Sequence, residues 1–394
     1  MFVWYHSKMK KLLIALLAIA VLAGVLLMVR RGYKTDSSDI TTQIDESDAI
    51  TVVARGFEIP WDIAFFATPA SQRGGLAGGE FLVTERPGRL VHIQASGIKR
   101  TISIPGAVQK GEGGLLGIAL HPNFTTNHWL YLYMSSAGSA GSPQAGTDGQ
   151  TKNRVVRYTY ENNALTREMV LIDNIPGAVY HDGGRMAFGP DGLLYITTGD
   201  ATEPKNAQDK TSLAGKILRI HEDGKVPAAN PFGTAVYSYG HRNPQGLAWD
   251  SSGQLWETEH GRSGVTSGLD EINLIESGKN YGWPDSEGDT VQSGTVGPVR
   301  HSGATTTWAP ASAAIIGNRL FFGGLLGEAL YEAELSGKTI TSLKTHFKGE
   351  LGRIRTVKVG PDGMLYLTTS NRDGRGSPQD GDDKVIRVNP AGLK

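Results

Sequence analysis

The chain repeats one short pattern six times, and this repeat constrains its fold more than any other feature. Each copy is a turn followed by a short strand with an aromatic or aliphatic residue at its centre. The copies lie at residues 79–84, 127–132, 191–196, 252–257, 317–322 and 362–367, so matched positions are 45 to 65 residues apart. Units of roughly 40–50 residues with several short strands are typical of β-propellers. We therefore predict an all-β, six-bladed β-propeller, with a pair of β-sandwiches as the alternative and residues 200–234 as an insertion.

Composition narrows the class of protein further. Glycine accounts for 52 of the 394 residues, which favours an all-β chain with many tight turns. Lys plus Arg equals Asp plus Glu at 39 each, and a general nucleic-acid-binding role, which needs a basic excess, is therefore disfavoured. The absence of cysteine excludes disulfides, thiolate zinc sites and cysteine nucleophiles. The sequence also lacks a Walker loop and a G-x-S-x-G motif, which disfavours nucleotide-dependent and serine-hydrolase chemistry.

The N-terminus is a separate segment. An apolar run of 18 residues, 12–29, is preceded by lysines and closed by Arg30 and Arg31. Its length is at the lower end for a membrane-spanning helix, and no small-x-small cleavage site ends it. We predict an uncleaved transmembrane signal anchor over 1–32, with a cleaved signal peptide as the alternative. A polar linker over 33–48 and a propeller over 49–394 follow, and the propeller is expected to be extracytoplasmic.

His181 is the candidate base. It lies in the segment Tyr180–Arg185, where two glycines let a ligand or backbone approach closely, and a strand follows. The ordinary pKa of histidine suits proton abstraction near neutral pH. The alternative is a structural histidine that bonds a loop carbonyl.

Arginines in two other loops are candidates for anion binding. Arg242 and Asn243 precede a strand in the glycine-bounded segment Gly240–Gly246, where a guanidinium can hold a carboxylate with two hydrogen bonds. Arg353 and Arg355 alternate as two positions on one face of a strand. They repel each other unless an anion lies between them, so either a polyanionic ligand or exposure to solvent is expected.

Acidic residues and glycine-rich loops also offer the oxygen ligands that Ca²⁺ prefers. Glu259–Arg262 is followed by Asp270–Asn273 and then by Asn280–Pro284. No EF-hand spacing is present. A further acidic segment, Asp380–Asp383, is predicted to be a solvated loop.

Several of these segments together resemble a known family. The matching phrases are Ile59–Ala64, Thr84–Arg89, Gly113–Ile118, His121–Phe124, Gly240–Gly246, Asp270–Asn273 and Asn280–Pro284. In this order they resemble the soluble pyrroloquinoline-quinone (PQQ) sugar dehydrogenases, the glucose/sorbosone dehydrogenase family, and within it the aldose sugar dehydrogenase branch. The resemblance extends over about residues 50–389, and its motifs are specific as a set.

The resemblance implies a six-bladed propeller that oxidises aldose sugars to lactones with PQQ and Ca²⁺. In it His181 matches the base that takes the sugar C1 hydroxyl proton, while hydride passes to PQQ. The positions that match cofactor contacts are Glu112, Arg242, Asn243, Gly324, Leu325, Leu326, Arg353 and Arg355. The positions that match calcium ligands are the carbonyls of Gly261 and Arg262 at the cofactor, and Glu271 and Tyr281 at a further site. An external electron acceptor, membrane attachment through the anchor and a monomer or homodimer are expected; a nucleic-acid partner is not.

Three positions depart from the family pattern. Glu112 stands where many members have Gln, and an ionised carboxylate repels a tricarboxylate cofactor unless it is protonated or paired. Arg262 replaces the usual Pro, and Leu326 stands where the soluble glucose dehydrogenases have a Lys. Two alternatives therefore stay open: a sugar- or protein-binding propeller without PQQ, and a lactonase-type hydrolase that uses Ca²⁺ alone.

Overall fold

A computed structural model describes residues 35–36, 49–66, 79–137, 151–264 and 267–393. The predicted anchor over 1–32 lies outside these residues. Within the described ranges, no helix has both the length and the apolar character needed to span a membrane.

The described chain is built almost entirely of short strands. In chain order they are β1 (Thr35–Asp36), β2 (Ile50–Ala54), β3 (Pro60–Phe65), β4 (Phe81–Glu85), β5 (Arg89–Ile93), β6 (Lys99–Ser103), β7 (Leu115–Leu120), β8 (Trp129–Ser136), β9 (Lys152–Glu161), β10 (Ala164–Pro176), β11 (Met186–Phe188), β12 (Leu194–Thr198), β13 (Lys216–Ile220), β14 (Val236–Tyr239), β15 (Pro244–Trp249), β16 (Leu255–Glu259), β17 (Glu271–Ile275), β18 (Arg300–His301), β19 (Pro310–Ile316), β20 (Arg319–Gly324), β21 (Ala329–Ser336), β22 (Thr339–His346), β23 (Ile354–Val359), β24 (Leu365–Thr369) and β25 (Val385–Val388). The helices are α1 (Phe124–Asn127), α2 (Lys205–Gln208) and a 3₁₀ turn at Pro390–Gly392.

The strands form six antiparallel sheets, which confirms the predicted six-bladed propeller. Blade 1 is β3–β6 with β1 added at its outer edge, blades 2 to 5 are β7–β10, β11–β14, β15–β18 and β19–β22, and blade 6 combines β23–β25 with β2. Blade 6 thus closes the ring with an N-terminal strand, in which Ile50 pairs with Val388. Residues Thr35–Asp36, within the predicted linker, pair with β6.

The six repeated segments of the sequence fall on the second strand of each blade: β4, β8, β12, β16, β20 and β24. Four of these strands are buried at every position. A propeller explains this burial, because neighbouring blades cover both faces of each sheet. The aromatic or aliphatic residue at the centre of the repeat, such as Tyr366 or Trp256, therefore lies in the core between blades.

Hydroxyl groups join the inner parts of adjacent blades. Thr84 donates to the Leu116 carbonyl 2.5 Å away, and Thr258 donates to the Ala311 carbonyl at 2.8 Å. Thr356 of blade 6 donates to the Trp61 carbonyl of blade 1 at 2.6 Å. These bonds satisfy carbonyls that no sheet ladder reaches, and they hold the innermost strands in place around the channel.

Two local expectations are wrong. Residues 200–234 are not simply an insertion, because they contain α2 and β13, the third strand of blade 3. The acidic segment is not a solvated loop throughout, since Asp382 and Asp383 are buried. Asp383 accepts hydrogen bonds from the Asn371 backbone at 2.6 Å and the Thr369 hydroxyl at 3.1 Å, so it ties the β24–β25 loop together.

Candidate active site at one end of the channel

The propeller topology brings distant residues to one end of the molecule. In an antiparallel blade, the start of the innermost strand and the end of the second strand lie at the same end. His181, Arg242 and Arg353 lie just before the innermost strands β11, β15 and β23, while Asp200 and Arg375 follow the second strands β12 and β24. Loops from blades 3, 4 and 6 therefore meet over the same end of the channel.

His181 forms a dyad with Asp200. Its Nδ1 lies 2.7 Å from Asp200 Oδ1, and the other carboxylate oxygen accepts the Trp283 indole N–H at 2.9 Å. Asp200 Oδ1 also accepts the Thr202 backbone N–H at 2.8 Å, so this carboxylate acts as an acceptor throughout. The His181 proton is consequently placed on Nδ1, which leaves Nε2 as the basic atom.

Glycines make the His181 turn possible. His181 itself has φ 62°, an uncommon conformation for a residue with a side chain. A Cβ at Gly199 would lie 2.0 Å from the His181 carbonyl oxygen, so only glycine lets the end of β12 approach this turn. The backbone is thus shaped to bring the His181 ring next to Asp200.

Arg242 and Asn243 are buried in the loop before β15. Asn243 Oδ1 accepts the Gly183 N–H at 3.1 Å, which connects this loop to the His181 turn. The Arg242 guanidinium donates to the His260 carbonyl at 3.3 Å and to the Ser263 hydroxyl at 3.1 Å. None of these guanidinium partners is an anion.

Arg353 and Arg355 are also buried. Arg353 pairs with Asp373 at 2.9 Å and donates to the Leu325 carbonyl at 2.9 Å. Arg355 donates only to the neutral Gln245 amide oxygen, at 2.6 Å, and its Nε has no partner among the described residues. Burial lowers the pKa of Arg355 to about 9, the cost of holding a cation with so little compensation. We call Arg242, Arg353 and Arg355, together with His181, the arginine site.

The predicted loop Gly324–Leu326 is at this end but contributes unevenly. Gly324 ends β20, and Leu325 is buried, with its carbonyl bonded to Arg353. The side chain of Leu326 is exposed. The loop therefore contacts the arginine site through its backbone.

His260 was not a candidate in the sequence analysis, yet its surroundings show that these loops converge. Its ring is within electrostatic range of Glu112, Arg355, Arg242 and His181. Burial lowers the pKa of His260 to about 3, so the ring is neutral at pH 7. Its Nε2 is buried without a partner among the described residues, which leaves a polar atom for a ligand.

Glu112 is paired rather than protonated. Its Oε1 lies 2.7 Å from the Arg375 guanidinium, and its Oε2 accepts the His181 backbone N–H at 3.2 Å. Burial acts to raise the pKa of Glu112, but the nearby His260 ring, the Arg375 guanidinium and this N–H outweigh it and lower the pKa to about 2. A carboxylate is compatible with an anionic ligand if it is protonated or paired with a cation, and Glu112 is paired.

The predicted calcium ligands Gly261 and Arg262 follow β16 beside the arginine site. Gly261 donates its N–H to Asp270 at 2.8 Å, and a Cβ on Gly261 would lie 2.3 Å from the Leu269 carbonyl oxygen. The Arg262 side chain is directed to Glu287, 3.3 Å away. Since Arg242 bonds the adjacent His260 carbonyl, this turn of backbone carbonyls borders the arginine site.

Glu271 belongs to a second group of buried residues, which we call the carboxylate cluster: His241, Glu257, Glu259 and Glu271. Ligand atoms of the first three lie within 4.8 Å of one another. Burial raises the pKa of Glu259 to about 8, and burial together with the Glu259 charge raises that of Glu271 to about 8. Burial also raises the pKa of Glu257, whose Oε1 has no partner in the part of the chain described. Tyr281 stacks on the His241 ring at a centroid distance of 4.8 Å.

The residues that sequence reasoning did not select are Asp200, Trp283, His260, Arg375, His241 and Glu257, whereas Glu259 was among the acidic residues considered for Ca²⁺. The sequence contains a signal for Glu257, because it lies two positions before Glu259 and alternate residues of a strand share a face. Asp200 gave no such signal, since only the fold shows that the end of β12 meets the turn before β11.

The fold and the site together define a six-bladed propeller with a histidine–aspartate dyad beside buried, incompletely paired arginines. Comparisons with known proteins agree with this class. The family model described as Glucose / Sorbosone dehydrogenase matches residues 57–377. This chain is a member of the glucose/sorbosone dehydrogenase family, a family of oxidoreductases, as the sequence motifs indicate.

Individual relatives support the same assignment. Aldose sugar dehydrogenase YliI of Escherichia coli is 31% identical over 82% of this chain and 91% of its own length. Quinoprotein glucose dehydrogenase B of Acinetobacter calcoaceticus is 34% identical over 54% of this chain and 49% of its own length. The solved PQQ-bound form of aldose sugar dehydrogenase from Streptomyces coelicolor has 38% identity and a TM-score of 0.76, covering 86% of this chain and 97% of that one.

Proposed function

We propose that this protein oxidises aldose sugars to lactones with PQQ as cofactor and with the help of Ca²⁺. The observation that carries the proposal is the placement of the His181–Asp200 dyad beside a buried group of arginines that lacks sufficient anions. A base beside buried arginines that have too few anionic partners, at one end of a channel, is what a dehydrogenase with an anionic quinone requires.

The donor set fits a carboxylated quinone. Arg355 has a buried Nε without a partner in the described chain, and the buried His260 Nε2 is likewise available. Within the described ranges, the Arg242 guanidinium bonds only neutral oxygens. Carboxylates of PQQ placed here would compensate buried positive charge with charge-assisted hydrogen bonds. Bound PQQ would supply the two-electron acceptor that takes the hydride from the sugar C1.

The chain itself supplies the base. His181 Nε2 takes the proton of the sugar C1 hydroxyl as the C1–H bond breaks and the C1–O double bond forms, giving the lactone. Asp200 keeps the other ring proton on Nδ1 and stabilises the imidazolium that results. Trp283 holds Asp200 in turn through its indole N–H.

Calcium fits two places. The turn Gly261–Arg262 borders the arginine site, and its backbone carbonyls would hold an ion that could polarise the bound quinone. The carboxylate cluster, which includes Glu271 and adjoins Tyr281, offers the buried oxygen ligands of a second ion. The unpartnered Glu257 Oε1 supports a cation there.

For cellular context we propose an extracytoplasmic enzyme that is held to the membrane by residues 1–32, as a monomer or homodimer. The apolar run with flanking basic residues is the support for attachment. Turnover would then require an external acceptor that reoxidises the bound cofactor.

The test is a reconstitution of the purified full chain with PQQ and Ca²⁺, followed by aldose-dependent reduction of an artificial electron-acceptor dye. We expect sugar-dependent turnover and PQQ absorbance that stays with the protein through gel filtration. The absence of both turnover and retained PQQ would contradict the proposal and would favour a non-redox binding propeller. Hydrolysis of a lactone with Ca²⁺ alone would favour the hydrolase alternative instead.

A further inference from the structure

Glu112 and Arg375 form an ion pair between two loops that are far apart in sequence. Glu112 lies before β7 of blade 2, and Arg375 lies in the β24–β25 loop of blade 6. The guanidinium is 2.7 Å from Glu112 Oε1 and lies over the Tyr180 ring, 5.4 Å from its centroid. The Arg375 backbone N–H donates to Asp373 at 3.0 Å, which fixes the loop on which the guanidinium is carried.

The position of the pair matters more than its strength. The Arg375 side chain is 48% exposed and that of Glu112 is 18% exposed, so the pair adds little to the free energy of unfolding. Glu112 nevertheless stays ionised beside the arginine site. Within the described residues, Arg375 is the cation that lies at ion-pair distance from this carboxylate.

The pair is also linked to His181 directly. The Glu112 oxygen that does not contact Arg375 accepts the His181 backbone N–H at 3.2 Å. That N–H belongs to a residue at φ 62°, a conformation that local contacts must maintain. Arg375, Glu112 and the His181 backbone therefore form one chain of contacts, from the solvent-facing loop to the base.

We propose that Arg375 is a positioning residue that makes Glu112 compatible with an anionic cofactor and, through Glu112, holds the His181 turn. This inference rests on the proposed PQQ-dependent function. With Arg375 present, the pair presents no net charge to the arginine site. Without Arg375, the Glu112 carboxylate loses the cation that contacts it, and only the charges of Arg86, Arg242 and Arg355, which form no ion pair with it, offset its repulsion of the anionic ligand. Binding is weaker as a result.

The binding test uses four full-length proteins: the wild type, Arg375→Ala, Glu112→Gln and the double variant. PQQ affinity is measured with Ca²⁺ present by quenching of tryptophan fluorescence, independently of turnover. We expect Arg375→Ala to weaken PQQ binding by about tenfold or more when Glu112 is present, and by less than about threefold when Gln replaces it. Arg375→Lys, which keeps the charge, should restore most of the loss.

Arg372→Ala is the matched control. Arg372 is an arginine of the same loop whose guanidinium donates to the Asp382 carbonyl at 2.6 Å and does not contact Glu112. Its removal should change PQQ affinity by less than about twofold. Equal weakening by Arg375→Ala in both backgrounds would overturn the proposal, because Arg375 would then act without Glu112.

A second readout does not need the cofactor. Hydrogen exchange of the peptide that spans 179–183 reports the His181 N–H in the protein without PQQ. We expect faster exchange in Arg375→Ala and unchanged exchange in Arg372→Ala. A wild type that binds no PQQ would contradict the proposed function, and it would remove the anion-compensating role as well. The exchange data would still decide the positioning role, which unchanged exchange in Arg375→Ala would overturn.

Discussion

The arginine site and the carboxylate cluster are neighbours with opposite charge. Adjacent residues of one loop supply both: the His241 ring bonds Glu259 at 3.2 Å, and the Arg242 guanidinium bonds the His260 carbonyl and Ser263. The Arg242 backbone N–H also donates to Glu259, at 3.1 Å. Within the described residues, the arginine site contains two guanidinium groups without an anionic partner, those of Arg242 and Arg355, whereas the carboxylate cluster contains three buried glutamates.

The difference in charge between the arginine site and the carboxylate cluster indicates which kind of ligand each region fits. Burying like charges without partners costs free energy, and a fold retains such groups where a ligand compensates them. The lowered pKa of Arg355 and the raised pKa of Glu259 are the same effect, burial, acting on opposite charges. The sign of the uncompensated charge then favours an anionic cofactor in one region and a metal cation in the other.

The largest effect is expected at the dyad, which only the arginine site possesses. His181→Ala should lower kcat for aldose oxidation by about two to four orders of magnitude, because the base for the C1 hydroxyl is lost. PQQ affinity should change little, since the ring carries no net charge as a base. Steady-state dye reduction and PQQ titration of the same protein measure both quantities, and a nearly unchanged kcat would contradict the role of His181.

A second substitution separates binding from stability within the arginine site. Arg355→Gln should weaken PQQ binding by about ten- to a hundredfold, since a buried charge-assisted partner is lost. The same change should raise the thermal unfolding midpoint of the PQQ-free protein, because a poorly compensated buried cation is removed.

Arg353→Gln is the control for this experiment. Arg353 is paired with Asp373, so its replacement leaves a carboxylate unpaired and should lower the unfolding midpoint. Calorimetry of Arg355→Gln and Arg353→Gln measures the two unfolding midpoints. A lower midpoint for Arg355→Gln would show that Gln245 compensates Arg355 sufficiently.

The third prediction concerns the carboxylate cluster. Glu257→Gln should weaken Ca²⁺ binding by about tenfold, because one buried oxygen ligand loses its charge. The unfolding midpoint measured against Ca²⁺ concentration reports this affinity. PQQ affinity at saturating Ca²⁺ should be affected much less. Glu334→Gln, on the exposed face of β21, is the control. An unchanged response to Ca²⁺ and to its removal by chelation would mean that the cluster binds no calcium.

The smallest expected effect concerns Asp182 and tests whether burial determines the pKa of a carboxyl group near the arginines. Asp182 lies beside the arginine site, yet burial raises its pKa from the ordinary 3.8 to about 7. The folded protein therefore retains this proton up to about pH 7 and the unfolded chain only to about pH 4, so stability is lost as pH rises between these values.

Asp182→Asn should remove that pH dependence. We expect the unfolding midpoint of the wild type to fall by a few degrees more than that of the variant, roughly 2–5 °C, between pH 5 and pH 8. Thermal unfolding at the two pH values measures the difference. Parallel curves would show that the positive groups nearby, rather than burial, determine the protonation of Asp182.

The sequence predicted the fold well because propeller strands are specified locally. Each repeat places a turn before a strand buried on both faces, and both features are visible without the structure. The candidate residues His181, Arg242 and Arg353 were also identifiable, since glycine-rich loops before strands hold them. The ion pairs between loops could not be identified from the sequence. Glu112 and Arg375 are 263 residues apart, and they meet only because the six blades close into a ring.

The closing of blade 6 also sets an order of events in biosynthesis. β2 pairs with β25, and strands β3–β24 lie between them in the chain, so β2 waits for its partner while all of these strands are synthesised. Long-range pairing of this kind is slow, and an unpaired edge strand can join another chain in the meantime. A chain that ends before Val385 should consequently form most blades yet aggregate, because β2 has no partner in the same molecule.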